Sequence, residues 1–350
     1  MPERVIREGT HPFRPRPRLS PLLRRPAVLL AAAILLALCI LASLFVGSSR
    51  IPADQVAHYL LHPDASNVSY NINVLRVERT IIGVLVGAAL AVSGAVMQAV
   101  TRNPLAEPGL LGVNAGASLG IVLGTAALGV LPIPGQLLLA ASGALVATAL
   151  VQVIGMIGGS TSSPVRLVLI GVAFSAFAGA VIRGVVLTMP NLFRTFIDWE
   201  VGSLTRADIP LLPMTLLVAL GTGAALLLAG ALDNITLGDD VAAALGTRVG
   251  LVRGLSLAVI TLLCATATTV AGPIGFVGLM APLTASWLMG PHRGWIVALC
   301  ALGGPVVILA ADVLGRVLAR PGEMQVGLLT AFVGSPVLLL MVLRMKDRAS

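Results

Sequence analysis

Charge is scarce in this 350-residue chain: only 11% of its residues are charged, whereas 57% are hydrophobic and the mean hydropathy is +0.98. Because a soluble domain carries roughly 25% charged residues, this composition excludes a soluble globular protein. It also excludes a disordered chain, since disorder requires low hydrophobicity. The chain is therefore predicted to be an all-α, polytopic membrane protein.

Lysine and cysteine are also scarce. Only one of the 23 basic residues is a lysine, Lys346, and it follows Met345, whereas a phosphate-binding P-loop places its lysine after a glycine. The three cysteines lie in apolar runs without CxxC spacing, which is typical of small core residues. We therefore expect no ATPase site, no metal and no cofactor in this chain, and no nucleic-acid partner.

Apolar runs recur along the whole chain. A helix needs about 20 residues to cross a lipid core of about 30 Å. Ten candidate runs lie at 27–46, 80–100, 109–130, 135–157, 167–188, 210–231, 251–271, 275–290, 295–316 and 326–343. The predicted organisation is a basic disordered arm (1–26), one transmembrane domain (27–345) and a short tail (346–350), with glycine series such as Gly83/Gly87 and Gly112/Gly116/Gly120 serving helix packing.

Basic residues predict the orientation, because they are enriched in cytoplasmic segments. With the amino terminus inside, 15 of the 23 basic residues fall on the inner side and 8 on the outer side. Both termini are therefore expected in the cytoplasm, and the protein in the cytoplasmic membrane.

No predicted span carries a carboxylate at its centre, although ionisable groups there usually mark ion pathways. This disfavours an ion-coupled secondary carrier, which remains one alternative. A second alternative is a metalloenzyme built on His58 and His62, which have i,i+4 spacing but no third ligand nearby in the sequence. The favoured interpretation is a conduit that takes its energy from a partner.

The segment 237–248, on the predicted inner side, is where such energy could enter. Gly238 and Gly246 bound a short helical stretch whose first turn carries Asp239 and Asp240, where negative charge suits the helix dipole. Val241, Ala244 and Leu245 form a small apolar stripe. The segment is either a plain connecting loop or a rigid knob that docks on a cytoplasmic partner.

Several motifs, in order over about 75–345, resemble the FecCD-type permeases of ABC importers for iron-siderophores, haem and cobalamin. They are LRVER at 75–79, RNPLAEPGLLG at 102–112, WEVGS at 199–203, GPIGFVGL at 272–279, PGEMQVG at 321–327 and GSP at 334–336. The residues that carry the match are Gln98, Asn103, Pro104, Pro108, Gly112, Gly116, Trp199, Gly202, Gly275, Gly278, Pro282, Asp312, Glu323, Gly327, Gly334 and Pro336.

The resemblance implies a ten-helix permease that pairs with a second, identical or similar permease subunit. It also implies two cytoplasmic ATPase subunits, an extracytoplasmic substrate-binding protein and an iron-chelate substrate, with a ferric siderophore expected and cobalamin or haem as the alternative. Arg76, Arg79 and Arg316 would dock the binding protein. The ATPase would be coupled through Gly238, Asp239, Asp240, Ala244, Leu245, Gly246 and Arg248.

The chain departs from the family pattern at two places on the predicted inner side. Where the family has Pro-His-x-x-Arg, this sequence reads PLTAS at 282–286, with Leu283 and Ser286 in place of the two basic residues. Where the family has Gly-Pro-Asp-His-Arg, it reads GPHR at 290–293, without the aspartate before His292. Both put the contacts to the ATPase subunit in question.

Overall fold

Hydrogen bonding in lipid decides the secondary structure, because each backbone polar group must be satisfied inside the protein and a helix does this within one segment. The computed structural model describes residues 21–49, 51–157, 164–189, 196–197, 199–205 and 209–349. Within those ranges the chain forms helices and connecting turns, with no strand. Residues 1–20 of the predicted arm and residue 350 of the predicted tail lie outside the described residues.

In the described ranges, ten apolar helices match the ten predicted spans in order, so the prediction of an all-α polytopic protein is confirmed. They are α1 (Pro21–Phe45), α2 (Val77–Thr101), α3 (Val113–Leu128), α4 (Ile133–Met156), α5 (Pro164–Thr188), α6 (Leu211–Thr236), α7 (Val249–Ala271), α8 (Val277–Met289), α9 (Arg293–Leu318) and α10 (Val326–Ala349). Residues 21–26, assigned to the arm, lie within α1, and residues 346–349, assigned to the tail, lie within α10.

Three of these helices are shorter than a full crossing. Seven helices in the described part of the chain are long and apolar enough to span a membrane, whereas α3, α8 and the apolar part of α10 are shorter. The 13 residues of α8 rise only about 20 Å at 1.5 Å per residue. The non-helical turn at 272–276, which leads into α8, is buried or half-buried among neighbouring helices, where irregular backbone is tolerated in a membrane protein.

Shorter elements connect the long helices. Ala53–Leu61 is an amphipathic helix after α1, and Asn67–Tyr70 continues through a π-helical stretch, Asn71–Arg76, into α2. Pro108–Leu111 is a single 3₁₀ turn before α3, and Asp239–Ala244 is a six-residue helix between α6 and α7. His58 lies on the amphipathic helix and His62 directly follows its last residue, and no group of three metal-ligating side chains forms within the described ranges.

Close backbone contacts at glycine place α2 at the centre of the bundle, where almost its whole length is buried. A side chain at Gly87 would overlap the backbone of Gly304 and Pro305 in α9, and one at Gly94 would overlap the carbonyl of Gly278 in α8. Gly116 in α3 likewise faces the backbone of Gly143 in α4. The glycine series therefore serve helix packing, as the sequence predicts, because small residues let membrane helices approach closely.

The Gly94 contact gives a direct test of this packing. Gly94→Ala should destabilise the protein by at least about 1–3 kcal/mol, the usual cost of overpacking, because the new methyl group meets a backbone carbonyl that cannot rotate away. Gly223→Ala in α6 is the matched control, since a Cβ there has open space around it. Thermal unfolding of the purified protein in detergent checks both variants, and equal melting temperatures would contradict the packing account.

Candidate functional site

Three arginines close the carboxyl-terminal end of α1, whose last carbonyl groups have no partner within the helix. Arg76 donates to the carbonyls of Leu44 (3.0 Å), Phe45 (3.3 Å) and Ser49 (3.2 Å). Arg316 donates to those of Ser43 (2.8 Å) and Val46 (3.1 Å), and Arg320 to that of Gly47 (2.9 Å). Positive charge is favourable at this pole of a helix. These arginines therefore fix α1 to α2 and α9.

A buried carboxylate lies at the centre of the same region. Asp312 of α9 has no solvent exposure, and it accepts bonds from Arg79 of α2 (Nη2 to Oδ1, 2.7 Å) and from Arg316 one turn further along α9 (Nε to Oδ2, 3.0 Å). Arg79 also pairs with Glu323, whose other oxygen accepts from Ser48 Oγ at 2.7 Å. We call Arg79, Asp312, Arg316 and Glu323 the outer charge network, after the side that the sequence predicts them to face.

The three predicted docking arginines are buried in the structure. Arg76, Arg79 and Arg316 are only 4%, 9% and 1% exposed, respectively. Their guanidinium groups point inward because α1 carbonyls and Asp312 supply the acceptors. The sequence contains the signal for one pair, since Asp312 and Arg316 have i,i+4 spacing, but it cannot show that Arg79 meets Asp312 across 233 positions.

A cavity of about 260 Å³ opens beside these arginines. Its lining is polar for a membrane protein, with both charge signs present. It includes Ser48, Ser49, Asn71, Arg76, Glu78, Arg79, Arg316 and Glu323.

Glu323 titrates below its ordinary range. Partial burial raises the pKa of Glu323, but the hydrogen bond and charge of Arg79, together with the bond from Ser48, lower it further, so the net shift is downward from 4.5. A carboxylate with a lowered pKa stabilises the fold at pH values above its unfolded pKa and loses that contribution as the pH falls through the folded pKa. The Arg79–Glu323 pair is therefore intact at neutral pH.

The opposite end of the bundle carries the predicted coupling segment as an exposed short helix. Asp239–Ala244 is helical between Gly238 (φ +121°) and Gly246 (φ +81°), and these two positive φ values favour glycine. Val241, Ala244 and Leu245 are exposed, as are Asp240 and Arg248, while Ala242 is buried against the bundle. The short helix therefore presents its apolar stripe outward from the protein.

Polar contacts attach this short helix to three other elements. Asp239 accepts from Arg253 of α7 at 3.0 Å and pairs with Arg102, which follows α2. Asn234 at the end of α6 donates to the Thr247 hydroxyl at 2.9 Å. The segment 237–248 is thus braced from both sides. Arg102 and Arg253, counted in the sequence only as topology signals, contribute directly to this bracing.

Nearby, Asp233 of α6 contacts the start of α9, next to the place where the family aspartate is missing. Its Oδ1 accepts from the backbone N–H of Arg293 at 2.8 Å, at the start of α9, and its Oδ2 lies 3.8 Å from His292 Nδ1. A carboxylate at this helix pole satisfies a free N–H and complements the dipole. The start of α9 is therefore capped from a neighbouring helix.

The other family-motif residues meet mainly in two backbone junctions. In the first, Glu107 Oε1 accepts from Phe276 N at 3.1 Å, Pro108 packs on Gly278, and Gly334 makes room for the Phe276 ring. Burial raises the pKa of Glu107. Gln98 donates to the Leu279 carbonyl at 3.1 Å. This junction joins the 102–112 connection to α8 and α10.

The second junction brings 199–203 against 272–275 and the start of α10. Gly327 N donates to the Gly202 carbonyl at 3.2 Å, and a side chain at Gly272 would overlap the Trp199 carbonyl. Gly275 faces the Glu107 carboxylate, and Gly112 ends the 3₁₀ turn with a φ of +79°. Pro282 and Pro336 lie inside α8 and α10, while Asn103 and Pro104 are exposed in the connection after α2.

The bundle and its two polar ends have counterparts among known proteins. A model of the FecCD transport family matches residues 35–344. The ferric enterobactin transport system permease protein FepD of Escherichia coli K12 is 43% identical over 303 residues, which cover 86% of this chain and 90% of that protein. The Fe(3+)-citrate import system permease protein YfmD of Bacillus subtilis 168 is 38% identical over 303 residues, covering 85% and 88%.

The three-dimensional comparison agrees with the sequence comparison. A solved structure described as an inward-facing, metal-chelate type ABC transporter superposes with a TM-score of 0.80 at 26% identity, covering 91% of this chain and 99% of that one.

The outer charge network predicts a large effect of one isosteric substitution. Asp312→Asn leaves two buried guanidinium groups without their shared carboxylate, so it should destabilise the protein by about 3–5 kcal/mol, as breaking a buried ion pair does. Glu323→Gln is the control, because Glu323 is partly exposed and its loss should cost much less. Thermal unfolding of the purified protein separates the two, and equal losses would contradict a central role for Asp312.

Proposed function

Because this chain belongs to the FecCD transport family, we propose that it is the membrane-spanning permease subunit of an ATP-binding-cassette importer that takes up a ferric siderophore across the cytoplasmic membrane. The observation that carries the substrate class is the match, over nearly the whole chain, to permeases whose names specify ferric enterobactin and Fe(3+)-citrate. Haem or cobalamin remains the alternative cargo.

The energy source is a separate pair of ATPase subunits on the cytoplasmic side. The single lysine of the chain, Lys346, follows a methionine, so it lies outside any P-loop pattern. The exposed stripe of Val241, Ala244 and Leu245 on a short, braced helix is a surface suited to insertion into a partner's cleft. Movement of the ATPase subunits would act on the bundle through the segment 237–248.

The transport pathway lies between this chain and a second permease subunit. α5 is one of the least buried helices, and it carries the exposed Arg183 on a face that includes Ala176, Ala180 and Gly184. An arginine on a membrane helix is costly in contact with lipid, whereas a water-filled pathway accommodates it. The face of α5 that carries Arg183 is therefore assigned to the pathway.

The binding protein docks at the end of the bundle that carries the outer charge network. Arg79 and Arg316 organise this surface through Asp312, while Arg76 has no carboxylate within ion-pair distance in the described part of the chain. Arg76 is only 4% exposed but lines the 260 Å³ cavity, so its charge would attract an acidic side chain of the partner that enters this cavity. Charge at such a surface steers association and fixes the register of the partner.

The docking role predicts that Arg76→Gln weakens association with the cognate binding protein. A charge pair across an interface is worth about 1.5 kcal/mol or more, so affinity should fall by roughly tenfold or more, and the wild-type advantage should shrink at high salt. Arg320→Gln is the matched control, because Arg320 also donates to an α1 carbonyl but does not line the cavity. Binding to the permease in nanodiscs is measured for both, and an equal affinity of the two variants would reject the docking role.

The coupling role predicts that Ala244→Glu abolishes uptake of labelled ferric siderophore and its stimulation of ATP hydrolysis in the reconstituted complex. A buried, unpaired carboxylate in the ATPase contact is costly. Ala244→Ser, which adds no charge, should retain most activity, and both variants should insert and purify normally. Normal uptake by Ala244→Glu would count against the proposed coupling surface. Competition by haem and cobalamin in the wild-type assay tests the alternative cargoes.

A further inference from the structure

The connection that follows α2 is tied directly to the predicted coupling segment. α2 ends at Thr101, and Arg102 adopts the left-handed conformation (φ +52°) that turns the chain back toward α6. Its Nε donates to the carbonyl of Ile235 at 2.7 Å, and its Nη2 pairs with Asp239. A single guanidinium group therefore bonds the end of α6 and the first residue of the short helix at the same time.

The same connection is tied a second time, on its far side, to the start of α8. Glu107 accepts from the Phe276 backbone N–H at 3.1 Å, and Pro108 packs on Gly278. Between the two ties lie the exposed Asn103, Pro104 and Leu105 and the buried Ala106. This short stretch therefore joins the contact with Asp239 to the contact with Phe276.

The Arg102–Asp239 pair contributes little to fold stability. The two side chains are 36% and 39% exposed, and ion pairs at such positions are worth only about 0–1 kcal/mol. Asp239 also keeps a second partner in Arg253, which lies on α7 and so belongs to an element adjacent to the short helix in sequence. Arg102 and Arg253 therefore differ in the element that they connect to Asp239. Arg102 connects it to α2 and the 103–105 stretch, whereas Arg253 connects it to α7.

We propose that Arg102 is a positioning residue that transmits displacement of the short helix Asp239–Ala244 to the 102–112 connection and thus to the central helix α2. This inference rests on the proposed function, because it assumes that a partner moves the short helix. The link is an exposed, reversible ion pair supported by one backbone acceptor. Without it, the short helix can move while the carboxyl-terminal end of α2 stays in place.

The test uses the complete complex in proteoliposomes and measures ATP hydrolysis and uptake of labelled ferric siderophore in parallel. Arg102→Gln should leave ATP hydrolysis running while uptake per ATP falls about tenfold, within the usual range of coupling energies between sites. Arg102→Lys, which retains the charge, should recover part of the lost uptake per ATP. Arg166→Gln is the control, because this exposed arginine on the same predicted side donates to the Ile157 carbonyl and not to Asp239, and the variant should keep the wild-type ratio. Thermal unfolding of Arg102→Gln should be unchanged.

A double-mutant cycle asks whether Arg102 acts through Asp239. If it does, the double variant Arg102→Gln/Asp239→Asn should have the same uptake per ATP as the more affected single variant, because the effects of contacting residues that act together are not additive. Three results would overturn the inference: an additive loss, an unchanged uptake per ATP in Arg102→Gln, or an equal loss in Arg166→Gln. If Ala244→Glu uncouples the complex while Arg102→Gln does not, the inference alone fails. If Ala244→Glu also has no effect, the coupling surface of the proposed function fails.

Discussion

Close backbone packing around α2 is the constraint on which the rest of the structure depends. Lipid provides no hydrophobic force between helices, so the bundle is held by van der Waals contact and by polar groups satisfied within the protein. Gly87 and Gly94 bring α2 onto the backbones of α9 and α8, respectively. These contacts tie α2 to the backbones of two neighbouring helices, so we expect the three helices to move together, as an importer driven from one side requires.

The few charges of the chain are concentrated at the two ends of that rigid centre. At one end, Asp312 joins α2 and α9 through Arg79 and Arg316, and the arginines also fix α1. At the other end, Asp239 joins the short helix to α2 and α7 through weaker, partly exposed pairs. This difference in burial fits a permease whose outer face keeps its shape for a docking partner while its inner face moves with the ATPase subunits.

Hydrophobic length alone predicted the fold well, because a membrane helix is specified by about 20 apolar residues without reference to its neighbours. All ten helices lie where the apolar runs are. The burial of Arg79 and Arg316 could not be predicted, since a linear pattern places a residue along a helix but does not show which distant acceptor its side chain reaches. Arg102 illustrates the same limit: its sequence position suggests a topology signal, whereas its partners Ile235 and Asp239 lie more than 130 residues away.

The central claim is that this chain is a passive gate moved by separate ATPase subunits. The most direct measurement is accumulation of labelled ferric siderophore in proteoliposomes that contain the purified permease with its binding protein, with and without the ATPase subunits and ATP. The account predicts accumulation against a gradient only when both the ATPase subunits and ATP are present. Accumulation by the permease without the ATPase subunits, whether driven by an imposed ion gradient or by nothing added, would contradict it.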